Sequence, residues 1–333
     1  MSNTERRDEG NEVKEQTYSL DVFSDFKMLR YKKTNGMDKF NSLPIVREFM
    51  CAETLQNRLL HFKLDHRKKF KRGSYGVVCF YISTETNNDG TYWHLCIKHT
   101  HDKNEIKMIN SFEEGEVKCG QVEAKLLQYN GNDHYTKHTY KKKVNGVKKT
   151  LTKRFYAYVM PDFPRTLKDF VGQQFTKETI VKIIKSLNDQ LKCLRRNNLC
   201  YMDIKPENIL SYEREPGNNN SIEVVLGDIG SNNKSTLYCP MAADPRHPTC
   251  KNGEIGCAAF SLTVLAAQLL LSKIEFENRE AYPWINYAKN GGDGREMAMD
   301  EAKEFLRKDF PELLTLLFTP RFLYHQSIAN FNT

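Results

Sequence analysis

The chain has 333 residues, 39% of them hydrophobic and 28% charged, which suits a globular protein of one large domain or two modest lobes. The longest apolar run, residues 258–271, is too short to span a bilayer, and the polar start of the chain holds no apolar signal segment. We therefore expect neither a membrane-spanning protein nor a disulfide-rich secreted one.

The charge leaves the ligand class open, whereas the cysteines indicate the cellular compartment. A formal net charge of +8 arises from 50 Lys and Arg against 42 Asp and Glu, and we expect it to be spread over many positions. It fits a basic cleft for anions or an ordinary solvated surface. The nine cysteines are scattered, odd in number and without a C-x-x-C pair. This pattern favours reduced thiols and an intracellular protein, cytoplasmic or nuclear.

The first part of the chain is expected to be an extension followed by strands. Residues 1–16 are polar and predict a disordered tail, whereas residues 44–62 carry apolar side chains at helical spacing and predict an accessory helix. GVVCFYIS and YWHLCIKHT alternate around the turn TETNNDG, which predicts a hairpin. A helix is expected next, over 115–129, and then the strand RFYAYVM. Residues 141–149, KKKVNGVKK, predict a solvated strand–turn–strand, with docking of an acidic partner as the alternative.

Beyond PDFP the chain becomes largely helical. Residues 176–199 have a clear apolar stripe with Thr176 as the N-cap. YMDIKPENIL and SIEVVLGDIG predict a second hairpin, and a buried helix is expected near 257–271. Further helices are expected over 300–318. The pattern indicates an α+β protein in which a small strand-rich part precedes a larger helical part, joined near residues 161–164.

Two features of the strand-rich part suit an anionic ligand. KRGSYGVV (71–78) places Gly73 and Gly76 just before a strand, where backbone N–H groups can approach phosphates because glycine lacks Cβ. Lys98 is a lone cation on an apolar strand, and a buried ammonium needs a partner. Glu123, on the helix predicted next, is the expected partner. An ordinary hairpin turn and a solvent-facing lysine are the alternatives.

Polar residues of a second kind cluster in the helical part. YMDIKPENIL (201–210) holds Asp203, Lys205 and Asn208 on one short turn. Asp228 follows an apolar strand in GDIG (227–230). Carboxylate and amide oxygens are the hard ligands that magnesium accepts, so Asn208 and Asp228 are candidate metal ligands.

The order of these motifs resembles the eukaryotic protein kinase family, whose motifs are a Gly-rich loop, V-A-I-K, H-R-D-L-K-x-x-N and D-F-G. This chain has KRGSYGVV, LCIK, YMDIKPEN and GDIG in that order, and the resemblance runs from about residue 70 to 271. It implies a two-lobed fold with a small β-rich N-lobe over residues 61–160 and a larger, mostly helical C-lobe over residues 161–333. Residues 1–60 would be the N-terminal extension.

The resemblance also implies ATP and Mg²⁺ as cofactors and Ser/Thr hydroxyls of proteins as substrates. Asp203 would orient the substrate hydroxyl and accept its proton, and Lys205 would neutralise charge on the transferred phosphoryl group. Asn208 and Asp228 would hold magnesium. The nucleotide-binding residues implied by the resemblance are Gly73, Ser74, Tyr75 and Gly76 over the phosphates, Lys98 with Glu123 at the α- and β-phosphates, Val78, Cys96 and Leu210 around adenine, Met160 as gatekeeper, and Pro161 and Phe163 in the hinge.

Several positions depart from the family pattern. Lys71 replaces the first glycine of the loop, Ile229 stands where Phe is usual, and Tyr201 and Met202 replace the His-Arg pair before the catalytic Asp. The family's Arg binds a phosphate on the activation loop, so the sequence does not predict switching by phosphorylation there.

Three functions remain open from the residues alone: an active Ser/Thr protein kinase, a pseudokinase or scaffold on the same fold, and a small-molecule kinase. The presence of every residue with a direct chemical role favours an active enzyme. Lys205, two residues after Asp203, is the Ser/Thr protein-kinase form. Compact size and an Asn/Lys-rich composition also resemble kinases of large DNA viruses, which act in the host cell, and fit other AT-rich genomes. No specific nucleic-acid signal is recognised, and the oligomeric state is not predicted.

Overall fold

The structure is a computed structural model that describes residues 26–28, 38–40, 43–46, 48–53, 58–72, 76–86, 90–114, 118–121, 124–127, 135–144, 147–173, 175–197, 199, 201, 203–213, 221–228, 253–277, 284 and 294–318. Within these ranges the chain is a mixed α/β protein with one large antiparallel sheet, two small sheets and several helices. None of the described helices is long and apolar enough to cross a membrane.

The large sheet contains nine strands and carries one wall of the candidate site. Its main order is β1 (Phe26–Met28), β4 (Glu48–Glu53), β5 (Arg58–Leu64), β7 (Gly76–Thr86), β8 (Tyr92–Thr100), β11 (Val147–Pro161) and β10 (Tyr135–Val144). The short strands β6 (Lys71–Arg72) and β9 (Lys125–Leu126) pair with β7 and β11, and β2 (Asp38–Phe40) pairs with β3 (Leu43–Ile45) in a separate ribbon. The predicted hairpin of GVVCFYIS and YWHLCIKHT is confirmed. The strands predicted within residues 141–149 and the strand RFYAYVM are confirmed as parts of β10 and β11, which pair over a longer range than predicted.

The accessory helix predicted over 44–62 is wrong, because these residues form β4, β5 and the end of β3. Along β5 the side chains alternate: Leu60 and Phe62 are buried, whereas Leu59 is 50% exposed. Phe62 lies opposite Phe49 in the strand register, with stacked rings whose centroids are 5.0 Å apart. The spacing of the apolar side chains suits a helix as well as a strand, and cross-strand pairing decides between the two. The tail predicted over residues 1–16 lies outside the described residues.

The helix predicted over 115–129 is also wrong in its described part. Helix α1 forms earlier, at Lys103–Glu114, and residues 125–126 are a strand paired with β11. Ile106, Ile109 and Phe112 are buried at helical spacing along α1. Gly120 has φ +73°, the left-handed region that interrupts a helix. Helix α1 thus ends at Glu114, where the predicted helix would begin, and Gly120 lies within the predicted range.

The helical part agrees with the predicted pattern. Helix α2 (Lys177–Arg196) is capped by Thr176, whose hydroxyl accepts a hydrogen bond from the Thr179 N–H at 3.3 Å. Helix α3 (Gly253–Leu270) is apolar and buried through its C-terminal half, as expected for a central helix. It is followed by α4 (Lys273–Glu277), α5 (Gly294–Asp309) and α6 (Pro311–Phe318). The predicted second hairpin is confirmed as β13 (Ile209–Glu213) and β14 (Ile222–Leu226), with β12 (Arg165–Thr166) at the edge of the same sheet.

Two hydrophobic clusters cover opposite faces of the large sheet. One joins the N-terminal strands to the face bearing Tyr81, Ile97 and Val159. The other joins α1 and the helical part to the face bearing Cys96 and Met160. Because strand residues alternate between faces, the second face is the one that meets the polar turn at 203–208.

A disulfide joins Cys119 to Cys193 across 74 residues of sequence, with the Cα atoms 5.3 Å apart. The prediction of reduced thiols is wrong for this pair, because folding brings together two cysteines whose spacing carried no pairing signal. Cys79 and Cys96 are free and buried.

Candidate active site

Lys98 lies at the centre of the candidate site. It sits on β8 directly opposite Tyr158 of β11, so both side chains share the face of the sheet that meets α1. The Lys98 ammonium forms ion pairs with Glu105 and Asp228, and the Lys98 side chain is only 12% exposed. One largely buried cation therefore links the sheet, the first turn of α1 and the segment that follows β14.

Glu105 is the ion-pair partner of Lys98, a role that the sequence analysis predicted for Glu123. Glu123 lies outside the described residues, and Glu105 is 2% exposed against Lys98. The Tyr158 hydroxyl donates a hydrogen bond to the Glu105 carboxylate at 2.6 Å. Glu105 is the acid in the first turn of α1, beside its apolar stripe, which is a signal present in the sequence, whereas the tyrosine hydroxyl depends on strand register and has no such signal.

The charges of this cluster shift one another's pKa. Burial by itself lowers the pKa of Lys98, but the carboxylates of Glu105 and Asp228 outweigh it and the pKa is raised. Burial raises the pKa of Glu105, Lys98 opposes that change, and Asp228 adds to it. Burial also raises the pKa of Tyr158 well above its ordinary value, so this side chain keeps its proton and acts as a donor.

The turn before β13 holds the second group of polar side chains. Asp203 is 5% exposed and accepts a hydrogen bond from Lys205 Nζ on Oδ2 at 2.6 Å. The amide nitrogen of Asn208 donates to the Asp203 carbonyl at 3.0 Å and to Oδ2 at 2.8 Å. Pro206 starts a short 3₁₀ turn that ends at Asn208 and sets this spacing. The carboxylate is thus oriented by a cation on one side and an amide on the other.

Asp228 is joined to this turn through the backbone. The Gly227 N–H donates to the Asn208 carbonyl at 2.8 Å, and the buried Tyr201 hydroxyl donates to the Gly227 carbonyl at 2.6 Å. Asp228 has φ +49°, the one non-glycine residue among those described with positive φ. Aspartate is one of the non-glycine residues that tolerate this sparsely populated conformation, which occurs often at functional sites. Tyr201, which replaces the His of the family pattern, is buried, and its hydrogen bond to the Gly227 carbonyl is a feature that the sequence did not predict.

The apolar residues assigned to adenine come together in one cluster. Cys96, Met160 and Phe163 are buried members of it, and Val78 and Leu210 pack against it partly exposed. The Cys96 thiol donates to the Pro161 carbonyl at 3.4 Å, and burial raises the pKa of that thiol well above its ordinary value.

Beside this wall, the buried carboxylate of Asp162 pairs with Lys68. The segment 161–163 is therefore attached to the strand-rich part by a charged contact as well as by the chain.

The predicted phosphate loop is described in part. Gly73, Ser74 and Tyr75 lie outside the described residues. At Gly76 an added Cβ would lie 2.1 Å from the His99 carbonyl oxygen, so the close approach of β7 to β8 requires glycine there.

The residues expected to hold magnesium suit a hard cation. The Asn208 nitrogen is engaged with Asp203, which leaves the amide oxygen as its metal-binding atom. The side chain of Asp228 is 37% exposed although one of its oxygens contacts Lys98. Amide and carboxylate oxygens are ligands of the kind that a hard cation accepts. Among the described residues no group of three or more His, Cys, Asp or Glu side chains forms a metal site by itself.

Comparison with known proteins identifies no relative by sequence: no model of a known protein family matches the chain, and no curated protein matches it significantly. Among solved structures, the crystal structure of Rad53 residues 1–466 in complex with AMP-PNP matches at 15% identity and a TM-score of 0.43. The match covers 76% of this chain, which spans 60% of the length of that one. This likeness is too low to carry an argument, so the functional conclusion depends on the geometry described above.

Proposed function

We propose that the chain is a phosphotransferase of the protein-kinase type, which transfers the γ-phosphoryl group of ATP to Ser or Thr hydroxyls of proteins with Mg²⁺ as cofactor. The supporting observation is the position of Lys98, whose ammonium bridges Glu105 and Asp228 while the Gly227–Asn208 hydrogen bond ties Asp228 to the turn that carries Asp203. The proposal includes two lobes, residues 61–160 and 161–333, with the site between them.

The side chains of this site have separate tasks in the proposed reaction. The substrate hydroxyl oxygen forms a bond to the γ-phosphorus, the bond from that phosphorus to the β–γ bridging oxygen breaks, and ADP leaves. Asp203 orients the hydroxyl and takes its proton, because its carboxylate is held by Lys205 and Asn208. Lys205 neutralises charge on the phosphoryl group during transfer.

Positioning of the nucleotide falls to the other cluster. Lys98 contacts the α- and β-phosphates, and Glu105 holds Lys98 in place for that contact. Asn208 and Asp228 would hold magnesium, which neutralises phosphate charge when bound. Cys96 and Met160 provide the apolar wall for adenine, and the Pro161 carbonyl accepts from its amino group.

The choice of Ser/Thr over other acceptors rests on the resemblance to protein kinases, in which a lysine two residues after the catalytic aspartate is the Ser/Thr form. Lys205 stands at that position and contacts the Asp203 carboxylate at 2.6 Å. The alternatives, a pseudokinase or scaffold on the same fold and a small-molecule kinase, are outcomes of the experiment below.

The proposal is tested by transfer of labelled γ-phosphate from ATP with magnesium, using the full chain and generic basic and acidic proteins as acceptors. We expect label on Ser or Thr, and a loss of roughly 100-fold or more in Asp203→Asn and in Lys98→Met, because each removes a group that acts on the reacting atoms or phosphates. Lys182→Met, an exposed lysine of α2, is the matched control and should keep full activity.

Other outcomes separate the alternatives. Magnesium-dependent ATP binding without transfer to any protein would favour a small-molecule acceptor. If the chain neither binds ATP nor transfers phosphate, the scaffold alternative is favoured and the proposal is overturned.

A further inference from the structure

The net charge of the chain is concentrated in one hairpin. Residues 135–155, which we call the basic ribbon, comprise β10 and the part of β11 paired with it, and they contain eight Lys and Arg but no Asp or Glu. The other 312 residues hold 42 Lys and Arg against 42 Asp and Glu, a formal charge of zero. The expectation that the charge is spread over many positions is therefore wrong, since the whole excess of +8 lies in the basic ribbon.

The basic ribbon extends beyond the large sheet. Strand β11 pairs with β8 only from Tyr156 to Pro161, opposite Thr100 to Leu95. In the described part of the chain, residues 147–155 have β10 as their single neighbouring strand. Residues 148–150 are exposed. Ten residues of β10 at about 3.4 Å each make a two-stranded arm of roughly 30 Å.

In the strand register, lysine pairs occupy positions on both faces of the arm. Lys142 lies opposite Lys149 in the register, and the next pair, Lys143 and Lys148, takes the opposite face because strand positions alternate. Like charges directly opposite one another destabilise a strand pair. Such an arrangement costs stability in the free protein and is relieved by a partner that surrounds the arm with negative charge.

Duplex DNA has the shape and charge that this arm fits. The major groove of B-form DNA admits a two-stranded β-ribbon, and phosphates line both of its walls. The duplex carries one negative charge per about 1.7 Å of its axis, a density that matches an arm with cations on two faces. An acidic protein would meet the arm from one side only, and the major groove of an A-form RNA duplex is too narrow to admit it.

We infer that the basic ribbon is a DNA-binding arm that inserts into the major groove and contacts the phosphates on both sides. The contacts are with the backbone, so binding is independent of base sequence and depends steeply on salt. This function is independent of phosphoryl transfer. It would hold the site described above near substrates that are themselves bound to DNA.

The test is fluorescence anisotropy of a labelled mixed-sequence 24-base-pair DNA duplex with the full chain, without nucleotide, at several salt concentrations. The ribbon variant replaces Lys142, Lys143, Lys148 and Lys149 with Gln. We expect its affinity to fall on the order of 100-fold, and the slope of log K against log salt to fall by about 3 to 4.

The control variant removes the same charge elsewhere, at four exposed lysines: Lys63, Lys107, Lys182 and Lys308. Both variants have a formal charge of +4, so an effect of net charge alone would weaken both equally and overturn the inference. Binding to polyglutamate that exceeds binding to DNA and is lost in the ribbon variant would assign the arm to an acidic protein instead. Equal binding of an RNA duplex of the same length would overturn insertion into the major groove.

The ribbon variant should unfold at or above the temperature of the wild type, because it removes like charges that lie opposite one another in the strand register. The control variant should unfold at the temperature of the wild type, because its four changed positions are exposed. A ribbon variant that retains full affinity, with the fold intact, would also contradict the inference.

Discussion

At the scale of single residues, two buried tyrosines position groups of the candidate site through their hydroxyls. Tyr158 donates to the Glu105 carboxylate at 2.6 Å, and Tyr201 donates to the Gly227 carbonyl at 2.6 Å. Burial raises the pKa of both phenols well above the ordinary value, so each remains a donor at any physiological pH. In the proposed reaction, each would place a group that acts on phosphate or metal without itself reaching the substrate.

Tyr158→Phe tests this positioning role. The change preserves the ring and removes a hydrogen bond to a buried carboxylate, an interaction worth about 1.5 to 3 kcal/mol. Because Glu105 holds Lys98 for phosphate contact in both the ground state and the transition state, we expect KM for ATP to rise roughly tenfold with a smaller change in kcat. Steady-state kinetics with varied ATP measure both quantities.

Tyr81→Phe is the matched control, since it also removes a buried tyrosine hydroxyl, which donates to the Val46 carbonyl at 2.5 Å in the other cluster. It should lower the free energy of unfolding while KM stays as in the wild type. If the two variants change KM equally, Tyr158 has only a structural role.

At the scale of elements, a buried histidine attaches the N-terminal strands to the large sheet. His99 of β8 is fully buried, and its Nε2 accepts a hydrogen bond from the Val46 N–H just after β3, at 3.1 Å. Burial lowers the pKa of His99 to about 4. An uncharged imidazole at this position is therefore part of how β3 joins β8.

This depressed pKa predicts a pH dependence of stability. In the unfolded chain His99 binds a proton near pH 6.5, whereas the folded protein binds it only near pH 4. Its contribution is fully present above pH 6.5 and decreases as the pH falls toward 4. Between pH 7.5 and 5.5 it should cost about 1 kcal/mol of unfolding free energy. Urea unfolding at both pH values measures this loss.

His99→Gln provides the comparison, since the amide oxygen can accept the same N–H but does not titrate. The variant should lose about 1 kcal/mol less than the wild type over the same pH interval. An identical pH dependence in both proteins would mean that His99 is not the group responsible.

At the scale of the whole molecule, the strand-rich and helical parts are joined by covalent and hydrogen-bonded links outside the site. The Cys119–Cys193 disulfide ties the segment after α1 to α2. Helix α2 in turn is joined to β14 by Gln190, whose amide donates to the Val224 carbonyl at 2.8 Å and accepts from the Leu226 N–H at 3.0 Å. The elements that carry Glu105 and Asp228 are thus both connected to α2.

Loss of the disulfide should lower stability substantially. Closing a loop of 74 residues removes chain entropy from the unfolded state equivalent to about 4 kcal/mol. Cys119→Ser and Cys193→Ser should each lose up to this amount in urea unfolding without reductant. The double variant should lose no more than either single one, because all three lack the same bond.

The wild type treated with reductant should unfold like these variants, and its electrophoretic mobility should differ with and without reductant. Additive losses in the double variant, or no difference in mobility, would show that the two cysteines are not bonded.

Much of the secondary structure and part of the candidate site could be predicted from local pattern. The hairpin of β7 and β8 follows from alternation around a polar turn, and α2 follows from its apolar stripe after Thr176. The polar turn from Asp203 to Asn208 is also local, because six residues of chain hold its three polar side chains together. In each case the interactions that decide the structure lie within a few residues, so the sequence by itself determined them.

Tertiary structure decided what depends on residues far apart in the chain. Residues 44–62 became strands because Phe49 and Phe62 pair across β4 and β5. Glu105 became the partner of Lys98 because α1 ends before Gly120 and lies beside Tyr158. The proximity of Cys119 to Cys193 and the extension of the basic ribbon beyond β8 depend on how whole strands and helices pack. A sequence pattern records which side chains prefer to be buried, but only the packed chain fixes which neighbours share that buried space.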